Sequence, residues 1–503
     1  MLTATESKMD FPTSLPTFQL LLVFVCSFIV SIWFLRRRSF YRRLPPAPWY
    51  IPFIGSRQLY SSTMHLDLTK TAEQYGGIYT LHLGTSPLVV LSNFAAIREG
   101  LVRQAVDFSD RFKFPFTMKE AKLEGSILLS NGIPWSARRR VAITALRSFG
   151  MGKRSLENRI NEEARYLCDA MDQSNGTPFD PAHLVKSAVS NIICTISYGQ
   201  RYDYNDPVFK SLLANLDVFF RASAVETILW GLPFVNWFPP LNKFKAAFEA
   251  ATSFSRQMVQ SHRATFDPDN IRDMIDAFIL ERDKHQDAKN ELKEAFREDL
   301  IWRAIHDMFA AGTDTTTYTI LWLILLLMKY PDIQTKVQKE VDDVIGQTRP
   351  PSVADRAHMP YTEATLMEVQ RYRTVAPYLP PRAVPRDVEI MGYSIPKGTQ
   401  IWVNLWGALN DPSHWVNPDS FNPSRFLSDD GQQVVVPEAF IPFGAGRRAC
   451  VGEHLAKMEL FVFFTNFMQR FTFIRDGTSG LDMTGKIGIT FVPRPYQTIA
   501  VRR

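Results

Sequence analysis

Cysteine is scarce in this chain, with four residues in 503, at positions 26, 168, 194 and 450. So few thiols exclude a disulfide framework. A lone cysteine without partner Cys or His ligands also excludes a zinc site, which needs three or four. Charge of one sign is in short supply too: Lys plus Arg number 57 against 51 for Asp plus Glu, a net charge of only +6. A nucleic-acid-binding protein is expected to show a basic stripe and a recognisable module, and neither is evident. Internal repeats and low-complexity tracts are missing, and no linker stands out after residue 60. What is abundant is apolar material. Hydrophobic residues make up 46% of the chain and aromatics 13%, enough for a large core.

The one long uncharged run near the start is TFQLLLVFVCSFIVSIWFL (17–35), close to the roughly 20 residues a membrane helix needs. Arg36, Arg37, Arg38, Arg42 and Arg43 follow it, which puts the rest of the chain on the cytosolic side. The run is longer than a cleavable signal's apolar region and has no small-residue cleavage site. We therefore expect residues 1–16 in the lumen, an uncleaved transmembrane signal anchor over 17–35, and a basic, proline-rich linker over 36–60. One large domain then covers 61–503. Strand-like runs such as GIYTLHLG and PLVVLS fall before residue 100, and helical periodicity dominates from about 101 to 375. Short strand patterns return in DVEIMGYSIPKGTQIWV (387–403).

One of the scarce cysteines stands in FGAGRRACVG (443–452), behind a glycine-rich, doubly basic turn. GAGRRA mimics a dinucleotide-binding fingerprint, but that motif needs a preceding strand and a βαβ unit. Here Pro442 precedes and the helical pattern EHLAKMELFVFFTNF (453–467) follows, so the Rossmann reading is rejected. Cys450 thus sits near a helix N-terminus, where free N–H groups and the helix dipole favour a thiolate. Arg447 and Arg448 add positive charge, and the glycines allow close approach of the backbone to a flat ligand. Such a thiolate suits an axial haem ligand. Taken alone, an inert packing residue is the simpler reading, as it is for Cys26, Cys168 and Cys194.

Three further motifs accompany it. AGTDTT (311–316) places an acid and hydroxyls inside the long helical pattern of residues 299–331. The uncharged part of that pattern, Thr315 to Met328, is too short for a bilayer span and ends before Pro331, so a buried core helix is expected. EVQR (368–371) is an ordinary i,i+3 ion pair by itself. WSARRR (135–140) carries an aromatic and three arginines on one helix.

Together these motifs resemble the cytochrome P-450 superfamily. Phe443, Gly446, Arg448, Cys450 and Gly452 match its haem-thiolate signature F-x-x-G-x-R-x-C-x-G. The resemblance covers nearly the whole chain and is closest to the animal microsomal family 2 group and its clan. It implies the mainly α cytochrome P-450 fold, with a small β portion and haem buried between the long core helix and the Cys loop. It implies Cys450 as the iron ligand, and Asp314 and Thr315 as the acid–alcohol pair that supplies protons on the distal side. Glu368, Arg371 and Arg425 (in FNPSRF, where Ser424 departs from the usual glutamate) correspond to a lock around the haem. Arg111, Trp135, Arg139, Arg382 and Arg448 correspond to propionate contacts.

The resemblance also implies a substrate pocket drawing on Phe112, Phe114, Phe116, Phe219, Phe309, Ala310, Ala311, Val375, Leu379 and Thr490. The activity it implies is monooxygenation: one atom of O2 enters a fatty acid, steroid, terpenoid or foreign compound, by hydroxylation or epoxidation. The cofactor is haem b. Electrons from NADPH arrive indirectly, through NADPH–cytochrome P-450 reductase, with cytochrome b5 as a second candidate donor. Arg138, Arg140, Arg147, Lys153, Arg154 and Arg447 are candidates for the docking face. WGLPFVNWFPP (230–240) is expected as a second membrane contact on a domain held at the endoplasmic reticulum. Two other readings stay open: a haem-thiolate isomerase or dehydratase working without O2, against which the Asp314–Thr315 pair counts, and a non-catalytic haem carrier or gas sensor.

Overall fold

The computed structural model describes residues 43–113, 122–149, 154–221, 239–287, 290–477 and 480–503, together with Leu21, Leu22, Phe24, Val25, Ser27 and Phe28. Those six are helical, but the rest of the expected anchor, Phe114, Phe116, Lys153 and residues 230–238 lie outside the described residues.

The proline-rich stretch after Leu44 is extended and lies on a sheet: Thr80 donates from its N–H to the Pro46 carbonyl and from its hydroxyl to the Pro45 carbonyl, both at 2.8 Å. Helix α1 (Met64–Tyr75) ends at Gly76, whose φ of 92° turns the chain into β1 (Ile78–Leu83). β1 pairs antiparallel with β2 (Ser86–Leu91), and both fall on the runs expected to be strands. β3 (Tyr378–Ala383) follows much later in the chain. After the hairpin β4 (Val388–Ile390)–β5 (Tyr393–Ile395) comes β6 (Gln400–Asn404). The sheet order is β1-β2-β6-β3, with β6 parallel to β2 and antiparallel to β3.

Between the two halves of that sheet runs the helical body. In chain order it comprises α2 (Gly132–Ser148), α3 (Arg154–Asp172), α4 (Ala182–Tyr198), α5 (Pro207–Phe220), α6 (Pro239–Ala264) and α7 (Met274–Lys284). α8 (Glu298–Lys329), α9 (Pro331–Val344) and α10 (Pro360–Tyr372) complete it, and α11 (Glu453–Arg470) follows the sheet. Sequence chemistry sets the ends. Asp206 and Asp273 cap α5 and α7 by accepting from Phe209 and Asp276 N–H. Pro331 stops α8 and opens α9 at the position where its missing N–H costs nothing.

α8 is the axis of the molecule. Among the described residues it is the one helix long and apolar enough to cross a membrane, yet 83% of its apolar window is buried by protein. Its composition is that of a core helix, as expected, wrapped by α4, α6 and α11. Threonines inside it do not break it. Thr315, Thr317 and Thr319 hydroxyls back-bond to the carbonyls of Ala311, Thr313 and Thr315 at 2.6–2.9 Å, so the turn stays helical throughout.

The residues Glu368, Arg371 and Arg425 meet in the region where α10 touches the meander before the Cys loop. Arg371 donates through Nε (2.7 Å) and Nη2 (2.8 Å) to the two Glu368 oxygens, and Arg425 Nε adds a third bond at 3.0 Å. The spare guanidinium N–H groups reach carbonyls of Leu409, Pro418 and Val416. An i,i+3 pair on an exposed helix contributes only tenths of a kcal/mol. Fully buried and saturated, this one fixes three chain segments to one another.

Candidate active site

Residues 443–452 form a closed loop ahead of α11. Cys450 N–H donates to the Phe443 carbonyl at 3.0 Å, and Gly446–Arg448 make a tight helical turn inside it. Gly446 is required at φ 72°, because a Cβ there would stand 1.8 Å from the Leu101 carbonyl oxygen. From the sequence, the glycines are expected to admit a flat ligand. Gly446 instead seats the loop on Leu101, while Gly452, which has open space around its Cβ position, lines the cavity.

That cavity, of about 280 Å³, lies between the Cys loop with the start of α11 and one ridge of α8. Asp307, Ala311 and Thr315, spaced at i+4, line it from α8; Phe443, Cys450 and Gly452 line it from the loop. Val375 and Leu379 close one side, and Ile127, Leu128, Ile193 and Met308 another, so most of the wall is apolar. The Cys450 side chain is accessible, but it faces this enclosed space. Burial pushes its thiol pKa up, against the pull of the Gly452 N–H and Arg139. The protein alone therefore does not hold Cys450 as a thiolate; a metal cation on the sulfur would. Arg447 and Arg448, expected to help, do not act on it: Arg447 is exposed, and Arg448 is committed elsewhere.

On one edge of the cavity lies an unusual charge cluster. Arg111, Arg382 and Arg448 are all buried, and none has a carboxylate partner among the described residues. Arg111 donates to the Leu128 and Pro380 carbonyls, Arg382 to Phe108, and Arg448 to Ser109 and Ser130. The Arg448 guanidinium stacks 3.6 Å from the Trp135 ring centre. Donors remain orphaned nonetheless: Trp135 Nε1, Arg382 Nε and Nη2, and Arg448 Nη1. Burial pulls Arg382 down to about 10. Burial and the charge of Arg382 together pull Arg448 down to about 9. Both stay cationic at neutral pH, and buried cations without a counter-ion are costly. An acid-bearing ligand resolves both deficits. Haem, a flat macrocycle with two carboxylate side groups, fits the apolar walls, the orphaned donors and the single sulfur. Arg139 donates to the Ala449 carbonyl at 2.7 Å, which ties α2 to the residue before Cys450.

The expected proton pair is split by the helix. Thr315 is on the cavity wall, but Asp314 is rotated by one residue and faces the protein. It accepts from Thr490 Oγ1 at 2.7 Å and stands 3.8 Å from Lys186 Nζ. Lys186 also binds Asp217 at 2.5 Å, and Tyr318 and Arg221 complete the group. Burial raises Asp314 to about 6, with Lys186 and Thr490 pulling the other way.

Several expected residues lie off the cavity wall. Phe309 packs on Tyr198 at 5.4 Å, Phe219 stacks on Phe244 and Phe248, and Thr490 serves Asp314. Ala310 points into the core, and Phe112, whose N–H bonds the Pro381 carbonyl, is not on the cavity wall. Arg138 cannot belong to a docking face, being 1% exposed and bonded to the Ala295 and Glu124 carbonyls; Arg140, Arg147 and Arg447 are exposed. Residues not anticipated from the sequence include Asp307 and Met308, which the i−4 and i−3 spacings from Ala311 could have found, and Glu459. Glu459 lines the cavity from α11, hydrogen-bonded to Thr316, and burial raises it to about 8.

The family model described as Cytochrome P450 matches residues 45–500. The chain is 39% identical over 490 residues to "Cytochrome P450 2J2" of Homo sapiens, covering 96% of this chain and 95% of that one. It is 37% identical over 513 residues to "Cytochrome P450 2U1" of Mus musculus, with 96% and 95% coverage. Against "Cytochrome P450 2U1" of Bos taurus the identity is 40% over 486 residues, covering 95% and 87%.

Proposed function

The chain belongs to the cytochrome P450 family and is a haem monooxygenase; from that premise we propose that it oxidises a lipophilic small molecule, by hydroxylation or epoxidation, in the cavity between α8 and the Cys loop. The observation that carries this reading is that Cys450 and the Asp307–Ala311–Thr315 ridge face the same apolar space. In our reading Cys450 ligates the iron, and Arg111, Arg382, Arg448 and Trp135 hold the propionates. The bound haem-thiolate supplies the oxidising power and the cleavage of dioxygen.

The chain's own contribution is placement and protons. The apolar side chains of Ile127, Leu128, Val375 and Leu379 exclude bulk water and favour a hydrocarbon substrate. Thr315 donates its hydroxyl proton to the Ala311 carbonyl, so its lone pairs are left to accept from a water or acid in the cavity. Asp314, raised to about 6, is the nearby proton store. To reach Thr315 its carboxyl must leave Thr490 and turn around the helix. Lys186, 3.8 Å away, would hold the carboxylate in place once its proton has left. The electrons are assigned to NADPH through a membrane-bound reductase meeting the exposed Arg140, Arg147 and Arg447 face. The protein is assigned to the endoplasmic reticulum membrane, with the domain cytosolic.

The test is turnover of the full-length protein with reductase, NADPH and a lipid extract under heavy-isotope dioxygen. Mass spectrometry should find products carrying one labelled oxygen. Unlabelled rearranged products would replace the reading with an isomerase.

A further inference from the structure

A second cavity, of about 490 Å³, has no part in the scheme above and shares no wall residue with the one at Cys450. It is a half-open cleft between α6, α7 and the first turn of α8. Arg256, Val259, Gln260 and Arg263 fall at i, i+3, i+4 and i+7, so α6 turns one face toward it. Ile279 and Arg282 come from α7, one helical turn apart, and Ile301 and Trp302 from α8. Val259, Ile279, Ile301 and Trp302 are buried and make an apolar floor, while the arginines stand partly or fully exposed at the rim. The indole is fixed in place, because Trp302 Nε1 donates to the Asp299 carbonyl at 2.8 Å.

The charges of the rim are not equivalent. Arg263 is paired with Asp283 at 2.8 Å, and Arg282 with Asp283 at 2.6 Å and Glu298 at 2.8 Å. Lys122, from the loop before α2, is paired with Asp299 at 2.9 Å. Arg256 alone on the rim has neither a carboxylate nor a hydrogen-bond partner among the described residues. Its guanidinium carbon lies 4.1 Å from the centre of a Trp302 ring. Stacking of this kind takes up one face of the guanidinium and orients its plane, yet leaves the N–H groups on its edge free to bind an acid. The acids of the cleft are already matched by Arg263, Arg282 and Lys122, so a cationic ligand would find no unspent partner. The unspent charge is positive, it is single, and it stands beside an apolar floor.

We propose that this cleft is a second ligand site, separate from the one at Cys450, and that it takes an amphipathic monoanion: a rigid apolar or aromatic body carrying one carboxylate, sulfate or sulfonate. The acid group meets the edge of Arg256, and the body covers Val259, Ile279 and Ile301. The volume falls within the roughly 300–1,000 Å³ of small-molecule sites, and a mostly apolar lining with a single orienting charge is their usual composition. The site does not depend on the reading of the Cys450 cavity, since no wall residue is common to the two.

The test uses the full-length holoprotein with the Cys450 cavity filled by an azole that ligates the haem. The probes are anilinonaphthalene sulfonate and its uncharged parent, phenylnaphthylamine, and binding is read by calorimetry against a matched detergent blank. The sulfonate should bind with the azole in place, about tenfold tighter than the parent, the equivalent of one charge-assisted hydrogen bond. Arg256→Gln should remove that tenfold and leave the parent's affinity unchanged. Arg256 is exposed, so the variant should keep its fold, and its reduced carbon-monoxide spectrum checks this. Gln260→Trp, which places a large side chain in the cleft, should weaken both probes. A sulfonate that fails to bind once the azole is present overturns the site. An affinity unchanged in Arg256→Gln, or a Gln260→Trp variant that binds both probes like the wild type, overturns it as well.

Discussion

The molecule contains two buried clusters of arginine that look alike in the sequence and differ in what they lack. Around Glu368, two guanidiniums share one carboxylate, and their remaining donors reach carbonyls. Around Trp135, three guanidiniums share no carboxylate among the described residues, and four donor atoms are left over. The first cluster is complete without a ligand, so its role is to hold the fold. The second is complete only with one, so its role is to bind. Saturation of donors, rather than burial or charge, separates the two.

The largest effect should come from breaking the closed cluster. Glu368→Gln leaves Arg371 and Arg425 buried without their acid, a loss of about 3–5 kcal/mol. Chemical denaturation should show a protein that no longer folds stably, with or without haem. A mild effect would mean that the lock is ornamental and would erase the contrast.

A smaller effect concerns Asp314, whose raised pKa makes it an unfavourable anion. Its folded value of about 6 exceeds the ordinary 3.8, so the native state holds its proton longer than the unfolded chain. Stability from this group is full below about pH 4 and declines as pH rises through 6. The span corresponds to about 3 kcal/mol. Asp314→Asn should therefore gain stability relative to wild type between those pH values, while slowing turnover. Thermal melts at a series of pH values test the sign. A variant that loses ground as pH rises would show that Lys186 outweighs burial.

The smallest effect sharpens the open cluster. Arg448→Leu should cost the haem-free protein little, since it removes a buried charge along with its hydrogen bonds to Ser109, Ser130 and Asn131. Retention of haem should fall by about tenfold, the equivalent of one charged contact. Equal losses in both forms would make Arg448 structural, like Arg371.

Much of this is legible in the sequence. The strand character of β1 and β2 follows from their apolar runs and the end of α8 from Pro331, while the meeting of Glu368, Arg371 and Arg425 is implied by the family resemblance alone. Facing was not legible. Asp314 and Thr315 are adjacent in sequence but about 100° apart on the helix, and the same rotation separates Ala310, in the core, from Ala311, on the wall. Arg138 differs from Arg140 only in which side of α2 it occupies. The reason for Gly446 lay with Leu101, a distant contact that no local pattern encodes.

The central claim is that Cys450 carries the iron, and the most direct measurement is the reduced carbon-monoxide spectrum of wild type beside Cys450→Ala. The account predicts the long-wavelength band of thiolate-ligated haem in the wild type and its complete loss in the variant. A Cys450→Ala protein that kept the band would place the ligand elsewhere and contradict the reading of the site.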